Sequence, residues 1–197
     1  MACVFVVYFG RNHRTIGLLR RYNMNDGILI RPAAQADAAG ILQIYSTYIK
    51  NTVITFETEV PAIEEFTARI ETIKNKYPYL VCETDGKIIG YAYASKHGER
   101  SAYKYSVDVS IYVDSDHQQK GIGTALYSNL FDTLKSYNVY TAYASITLPN
   151  EKSIRLHKAF GFHEIGICHN VGYKNGRWLD LIWLEKPLKQ YDTPTTE

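Results

Sequence analysis

The sequence predicts one α/β domain of the α+β kind, a mixed and largely antiparallel sheet flanked by helices. Three observations lead there. Apolar residues recur at two periods along the chain, two residues in some segments and close to 3.6 in others. Asp85-Gly86 and Asn175-Gly176 each separate two strand-like runs, the strongest short-range signal for a hairpin. The helical segments are interleaved with the strands, and no repeat or internal linker interrupts them.

Taken in order, Ile28-Leu29-Ile30-Arg31 reads as a first strand, stopped by Pro32. Asp37 is placed to cap a helix running to about Lys50, with Ala38, Ile41, Leu42, Tyr45 and Ile49 as its apolar stripe. Thr52 to Phe56 is β-branched and aromatic, a loop or short strand. Pro61 opens a second helix carrying Ile63, Phe66, Ile70 and Ile73, ended by Pro78. Tyr79 to Glu83 and Lys87 to Ala94 form the first hairpin, and Tyr103 to Val113 a long strand. A helix follows from Gly121 to Ser136, then a strand from Val139 to Ile146 and a helix from Asn150 to Phe160, stopped by Gly161. Phe162 to Val171 and Trp178 to Glu185 make the last hairpin, before a polar tail.

Composition narrows the function. At 197 residues, 46% hydrophobic and 21% charged, the chain suits one domain with a full core. A formal charge of +2 with scattered basic residues gives no footprint for nucleic acid. The 17 tyrosines follow no period and read as packing and pocket lining. Cys3, Cys82 and Cys168 are too dispersed for a disulfide framework, which fits a reducing cytoplasm. Cys168, His169 and His163 lack the ligand spacing of a zinc motif, so no metal is expected. The apolar run from Cys3 to Phe9 is too short to cross a bilayer. Its basic residues follow it rather than precede it, unlike a signal peptide. Neither secretion nor a membrane partner is expected.

The most informative stretch is Ser106 to Val113 followed by Gln118-Gln119-Lys120-Gly121-Ile122-Gly123. Val107, Val109, Ile111 and Val113 share one face of the strand; Asp108, Ser110 and Tyr112 share the other. Ile122, Leu126, Leu130 and Leu134 then repeat at helical spacing. A helix start with free amides and two glycines is a physical site for a pyrophosphate. The nucleotide-hydrolase loop is a poor match because no Lys follows Gly123, and the dinucleotide fingerprint because position 126 is Leu.

Q-x-x-G-x-G after an apolar strand instead resembles the coenzyme A loop of the GNAT superfamily of N-acetyltransferases. Thr55-Phe56-Glu57-Thr58-Glu59, Ala102-Tyr103, Leu148-Pro149-Asn150, Ser153 to His157 and Gly172 to Trp178 narrow the resemblance. In this order they are similar to phosphinothricin N-acetyltransferases and their relatives acting on methionine sulfoximine or methionine sulfone. The resemblance covers approximately Gly27 to Leu188. It implies a GNAT domain over residues 24–188, with 1–23 an extension, Met24 a candidate start and 189–197 a polar tail.

Acetyl transfer to an amine needs a deprotonated nitrogen, a polarised thioester carbonyl and a proton for the departing thiolate. Asp108 is the candidate base: aspartate is unfavourable inside a strand, although an outward, solvated face explains it equally well. The resemblance puts Asp108 where phosphinothricin acetyltransferases usually carry Glu, so the shorter chain implies a bridging water. His157 lies seven residues after Asn150, at the place of the GNAT thiolate acid, and its chemistry suits base or acid work. A lone helical His is otherwise structural, and Tyr127 reads as a core tyrosine.

The resemblance further implies that acetyl-CoA, as co-substrate, meets Ile111 and Val113 on a splayed strand. Gln118, Gly121, Gly123 and Thr124 at the helix start, and Asn150, complete that set. Phe56, Arg100 and Tyr103 match pocket residues for the acceptor, and Lys104 adds charge; Gly98 replaces a basic residue of some relatives. The expected reaction is direct transfer in a ternary complex to a small amino acid analogue, within a homodimer. Acetylation of a peptide amino terminus or a polyamine, and a non-catalytic acyl-CoA sensor, are the alternatives.

Overall fold

The structure is a computed structural model and describes residues 22–24 and 27–194. Most of the segment 1–23, with Cys3 and the apolar run after it, lies outside the described residues, as do residues 195–197 of the tail.

Among the described residues eight strands are formed: β1 (Tyr22–Met24), β2 (Ile28–Pro32), β3 (Tyr79–Thr84), β4 (Lys87–Lys96), β5 (Ser106–Val113), β6 (Thr141–Thr147), β7 (His163–Lys174) and β8 (Arg177–Pro187). Four α-helices accompany them in the same residues: α1 (Ala38–Asn51), α2 (Ile63–Lys74), α3 (Ile122–Leu134) and α4 (Glu151–Ala159). The strands make one sheet in the order β1-β2-β3-β4-β5-β6-β8-β7. All neighbours are antiparallel except β5 and β6, which run parallel. The mixed, largely antiparallel sheet expected from the sequence is the one observed. β1 ends at Met24, the residue at which the domain was expected to begin.

Strand alternation sorts the side chains into two cores. Val107 and Val109 are buried on one face, with Ile111 and Val113 packed against the same cluster. Ile122, Leu126, Leu130 and Leu134 of α3 and Ile154 of α4 cover that face. Tyr112 points the other way, into a cluster built from Ile41, Tyr45 and Ile49 of α1 and Phe66 and Ile70 of α2. The tyrosines gather on this second face because the register aligns them. Tyr79 stands opposite Tyr93 and stacks on it at 4.7 Å; Tyr91 stands opposite Tyr112 and stacks at 5.2 Å. Offset aromatic pairs of this kind add about 0.5–1.5 kcal/mol each beyond their buried area.

Local signals hold where the deciding interaction is local. Asp85 and Gly86 both have positive φ (48° and 75°), as do Asn175 and Gly176 (51° and 75°), the geometry of a tight two-residue hairpin turn. Three boundaries differ from expectation. The long strand begins at Ser106, not Tyr103, because residues 101–105 form a 3-10 turn that holds the Tyr103 ring over Gly98. The second helix ends at Lys74, well before Pro78, as the Lys76 and Tyr77 amides turn back onto the Ile73 carbonyl. Asp37 does not cap α1 with its side chain. Its carboxylate accepts the Ala34 N–H at 2.7 Å and pairs with the Arg31 guanidinium, which also reaches Glu83.

No helix among the described residues is long and apolar enough to cross a membrane.

Candidate active site

The site begins with the one parallel pair in the sheet. β5 and β6 are in register only over Ser106–Asp108 against Thr141–Tyr143. Beyond Asp108, β5 stays bonded to β4 while β6 continues against β8, so the two strands part. The Asp114 N–H donates to the Ile89 carbonyl, toward β4, and main-chain groups alternate along a strand. Those of Val109, Ile111 and Val113 therefore face the gap. The Val113 carbonyl, on that side, accepts the Tyr48 hydroxyl at 2.6 Å.

The loop that follows closes one end of this gap. Asp114 caps a short turn by accepting the Asp116 N–H at 3.1 Å. Gln118 is tied down at both ends of its amide, donating to the Tyr48 hydroxyl and accepting from Lys152, each at 3.3 Å. Gln119 and Gly121 then adopt positive φ, 64° and 78°. With Lys120 between them not left-handed, the hand alternates from residue to residue, which turns successive amides to one side in the shape of an anion nest. Gly121 occupies the cap position of α3 and offers no side chain to the first amides of the helix, including those of Ile122, Gly123 and Thr124.

The two glycines are glycine for different reasons. A Cβ at Gly121 would meet nothing within 4 Å, so φ alone demands glycine there. A Cβ at Gly123 would lie 3.3 Å from Leu156 Cδ2 and 3.7 Å from Ile111 Cδ1, so this position sets how closely α3 approaches β5 and α4. The start of α4 differs in kind. Asn150 caps it, its Oδ1 accepting the Ser153 N–H at 3.3 Å, a structural task additional to the one expected of it.

Asp108 lies on the opposite face of β5 from Val107 and Val109, level with Ser95 of β4 and Tyr143 of β6. Its Oδ1 is 2.7 Å from Nδ1 of His97, which follows β4. Burial pushes the Asp108 carboxyl above its ordinary value, and the His97 contact pulls it partly back. The His97 ring is clamped: it stacks on Tyr143 at 4.1 Å and meets Tyr103 and Trp183 edge-on at 5.6 and 6.1 Å. Both members of the pair remain reachable, with 33% of the Asp108 side chain and 20% of the His97 side chain exposed.

Tyr103 is half-exposed, and a Cβ at Gly98 would sit 2.8 Å from its Cδ2. The absence of a side chain at 98 is what seats the Tyr103 ring. Arg100 is exposed and holds no ion pair among the described residues; Lys104 lies over the Tyr105 ring at 4.9 Å. Phe56 rests on Gly172, where a Cβ would come within 2.6 Å of the Phe56 ring. The neighbouring Thr55 is buried, bonded to the Tyr45 hydroxyl at 2.8 Å, and its carbonyl accepts from the buried Lys174 at 2.8 Å. The Phe56 loop is thereby pinned to α1 and to β7.

His157 is elsewhere. It lies on α4, beneath the face of the sheet opposite to Asp108, and is 3% exposed. Its Nδ1 is 2.8 Å from the Ser153 carbonyl, which can only accept, so Nδ1 carries the proton. Nε2 therefore accepts the Tyr127 hydroxyl at 2.8 Å, and Tyr127 is itself fully buried. Burial lowers the His157 pKa and keeps the ring neutral. The direct base or acid role expected of His157 meets a ring whose two nitrogens are both engaged inside the core.

The sequence brings Asp108, Tyr103, Arg100 and the glycine loop into view but misses His97, Tyr143 and Trp183. No local signal marks them, since their convergence depends on the registers of β4, β5, β6 and β8. Among the described residues no group of three or more His, Cys, Asp or Glu side chains is arranged to hold a metal.

Residues 30–183 match the family model described as an acetyltransferase (GNAT) domain. The chain is 37% identical over 152 residues to the phosphinothricin N-acetyltransferase of Streptomyces viridochromogenes, covering 77% of this chain and 83% of that protein. It is 34% identical over 166 residues to the L-methionine sulfoximine/L-methionine sulfone acetyltransferase of Salmonella typhimurium, covering 84% and 97%. Among solved structures, a phosphinothricin acetyltransferase from Sinorhizobium meliloti in complex with acetyl-CoA superposes with a TM-score of 0.82 at 37% identity, covering 86% of this chain and 94% of that one.

Proposed function

This chain belongs to the acetyltransferase (GNAT) domain family, and from that premise we propose that it carries the acetyl group of acetyl-CoA to the amino nitrogen of a small amino acid analogue. Phosphinothricin, methionine sulfoximine and methionine sulfone are the acceptors its relatives' names support. One observation carries the reading: the opening between β5 and β6 lies between an uncapped helix start and the Asp108 carboxylate.

The diphosphate of the coenzyme is held by the amides from Gln119 to Thr124, with Gln118 ordering the loop and Gly121 and Gly123 giving it close approach. The thioester arm then enters the gap along the main chain of Ile111 and Val113, past Asn150. An N–H on that edge polarises the thioester oxygen as it gains charge. The acceptor lies on the α1–α2 face against Phe56 and Tyr103. The uncommitted guanidinium of Arg100 is suited to bidentate pairing with its carboxylate. Asp108, with His97 bonded to it, supplies the negative charge beside the ammonium that must lose its proton.

Transfer is direct, in a ternary complex. A covalent cysteine route would need an exposed thiolate at the gap. Cys82 is instead buried on β3 with its thiol pushed up to about 12, and Cys168 lies on β7, across the sheet from β5. Both are free thiols, which suits a reducing cytoplasm. Thiol release from acetyl-CoA across a panel of amines tests the function. Turnover is expected with L-phosphinothricin, L-methionine sulfoximine or L-methionine sulfone, but not with spermidine or a peptide amino terminus. Tight coenzyme binding without release for any amine would overturn the enzyme reading in favour of a sensor.

A second copy of the chain is the partner proposed for β7. This edge strand exposes Ile165, Ile167 and Val171, followed by Tyr173 and by Trp178 across the turn, each 45–62% exposed. A long apolar edge is an aggregation hazard unless it is paired or covered. Ile167→Lys is expected to halve the mass measured by light scattering while leaving the melting temperature of the monomer near that of the parent. A wild-type protein that is monomeric at micromolar concentration would remove the dimer.

A further inference from the structure

We propose that Nε2 of His97 is the atom that takes the proton from the acceptor's ammonium, with Asp108 as the residue that positions it. The inference rests on the acetyl-transfer reading above and names the base within that site.

The argument starts at the 2.7 Å contact between His97 Nδ1 and Asp108 Oδ1. An ionised carboxylate can only accept, so Nδ1 is the protonated nitrogen of the neutral ring and Nε2 keeps its lone pair. No hydrogen bond from Nε2 exists among the described residues, whereas both nitrogens of His157 are engaged. Stacking on Tyr143 with the planes only 18° apart, and edge contacts to Tyr103 and Trp183, resist a ring flip that would exchange the two nitrogens. The pair therefore has the orienter–base order of a catalytic dyad, and the ring sits beside the half-exposed Tyr103.

The residue types explain the division of labour. Even raised by burial, a carboxylate is a weak base for an ammonium; a neutral imidazole offers a nitrogen lone pair suited to general-base work. The neutral imidazole accepts one proton from R–NH3+, and the imidazolium formed is stabilised by Asp108. The freed lone pair attacks the thioester carbonyl and the C–N bond forms. The C–S bond then breaks, and one of the two protons on the new amide nitrogen leaves with the thiolate as thiol. His97 finally returns its proton to solvent. The sum is R–NH3+ plus thioester giving amide, thiol and one H+.

The titratable groups facing the ring are Asp108 from β5, Tyr143 from β6 with Glu185 of β8 behind it, and Tyr103 from the 3-10 turn that follows His97. In its own loop Lys96 and Glu99 are paired with each other at 2.6 Å. Among the described residues Asp108 is therefore the one carboxylate bonded to the ring.

The test is the pH dependence of kcat/KM for thiol release with L-methionine sulfoximine, in wild type and His97→Gln, with acetyl-CoA affinity by calorimetry as control. Glutamine keeps a donor for Asp108 but has no lone pair of comparable basicity. His97→Gln is expected to lower kcat by about 10²–10⁴-fold, to leave coenzyme affinity unchanged, and to lose the acid limb of the profile. Added imidazole should restore part of the rate. Wild-type kcat, or an unchanged acid limb, in His97→Gln overturns the proposal alone. Failure of the wild type with every amine overturns the functional reading and takes this inference with it. Imidazole 15N spectra of the unmodified protein give a readout that needs no variant. Nε2 is expected to be unprotonated at neutral pH and to protonate with the midpoint of the acid limb; an Nε2–H tautomer would refute the assignment.

Discussion

Asp108→Asn should reduce kcat by about 10²- to 10⁴-fold while fold and acetyl-CoA affinity stay close to wild type. The substitution is isosteric and a third of the side chain is exposed, so no cavity opens. Burial already disfavours the ionised carboxyl, so an uncharged amide meets no solvation penalty there. What changes is the hydrogen bond to His97. The amide NH2 can donate to Nδ1, which stabilises the tautomer with its proton on Nε2 and removes the lone pair the reaction needs. If Asp108 were itself the base, the loss would be at least as large. The sharper outcome is the comparison with His97→Gln, since two residues acting as a unit give losses that do not add. Thiol-release kinetics with calorimetric affinities measure this. A variant that turns over at the wild-type rate would take residue 108 out of the chemistry.

The parts of this site that were legible in the sequence are those decided within a few residues. The strand ending at Val113 shows its two faces because each packs against its own core, and alternation is a local pattern. The loop from Gln118 to Gly123 is legible because a left-handed cap and a close approach both require glycine wherever the chain later folds. His97 was hidden for the opposite reason. It follows β4 in a polar loop, and only the register of β4 with β5 shows that Ser95 stands opposite Asp108 with His97 one pleat further on. Tyr143 and Trp183 come from β6 and β8, so the aromatic clamp exists only once the sheet order is known. The sequence places Tyr103 at the start of the long strand, but the space left at Gly98 seats its ring outside the sheet.

His157 shows where helical spacing stops being informative: it tells which residues share a side of a helix, not whether that side faces a ligand or the core. Here it faces the core, and His157→Ala is expected to cost about 3–5 kcal/mol of folding stability. The ring lies edge-on to Tyr127 and Phe162, with centroids at 5.2 and 5.1 Å, and its removal leaves a cavity between them. It also strands the Tyr127 hydroxyl, a fully buried group whose partner is His157. Thermal unfolding should show a fall in midpoint of roughly 2–4 °C for each kcal/mol lost. The pH dependence gives a second readout with a definite sign. Burial lowers the folded-state pKa of His157 from 6.5, so below 6.5 the unfolded chain binds the proton first. This contribution is fully present above pH 6.5 and is lost as the pH falls from there toward the depressed value. His157→Gln, which keeps a polar partner for Tyr127 but does not titrate, should lack that part of the slope. The surface pairs His163–Glu185 and His169–Asp180 are the same in both proteins and cancel in the difference. Equal slopes in the two proteins would mean that the ring is not held neutral. A His157→Gln variant of wild-type stability but collapsed kcat would instead return His157 to the chemistry, reached by a motion that opens α4.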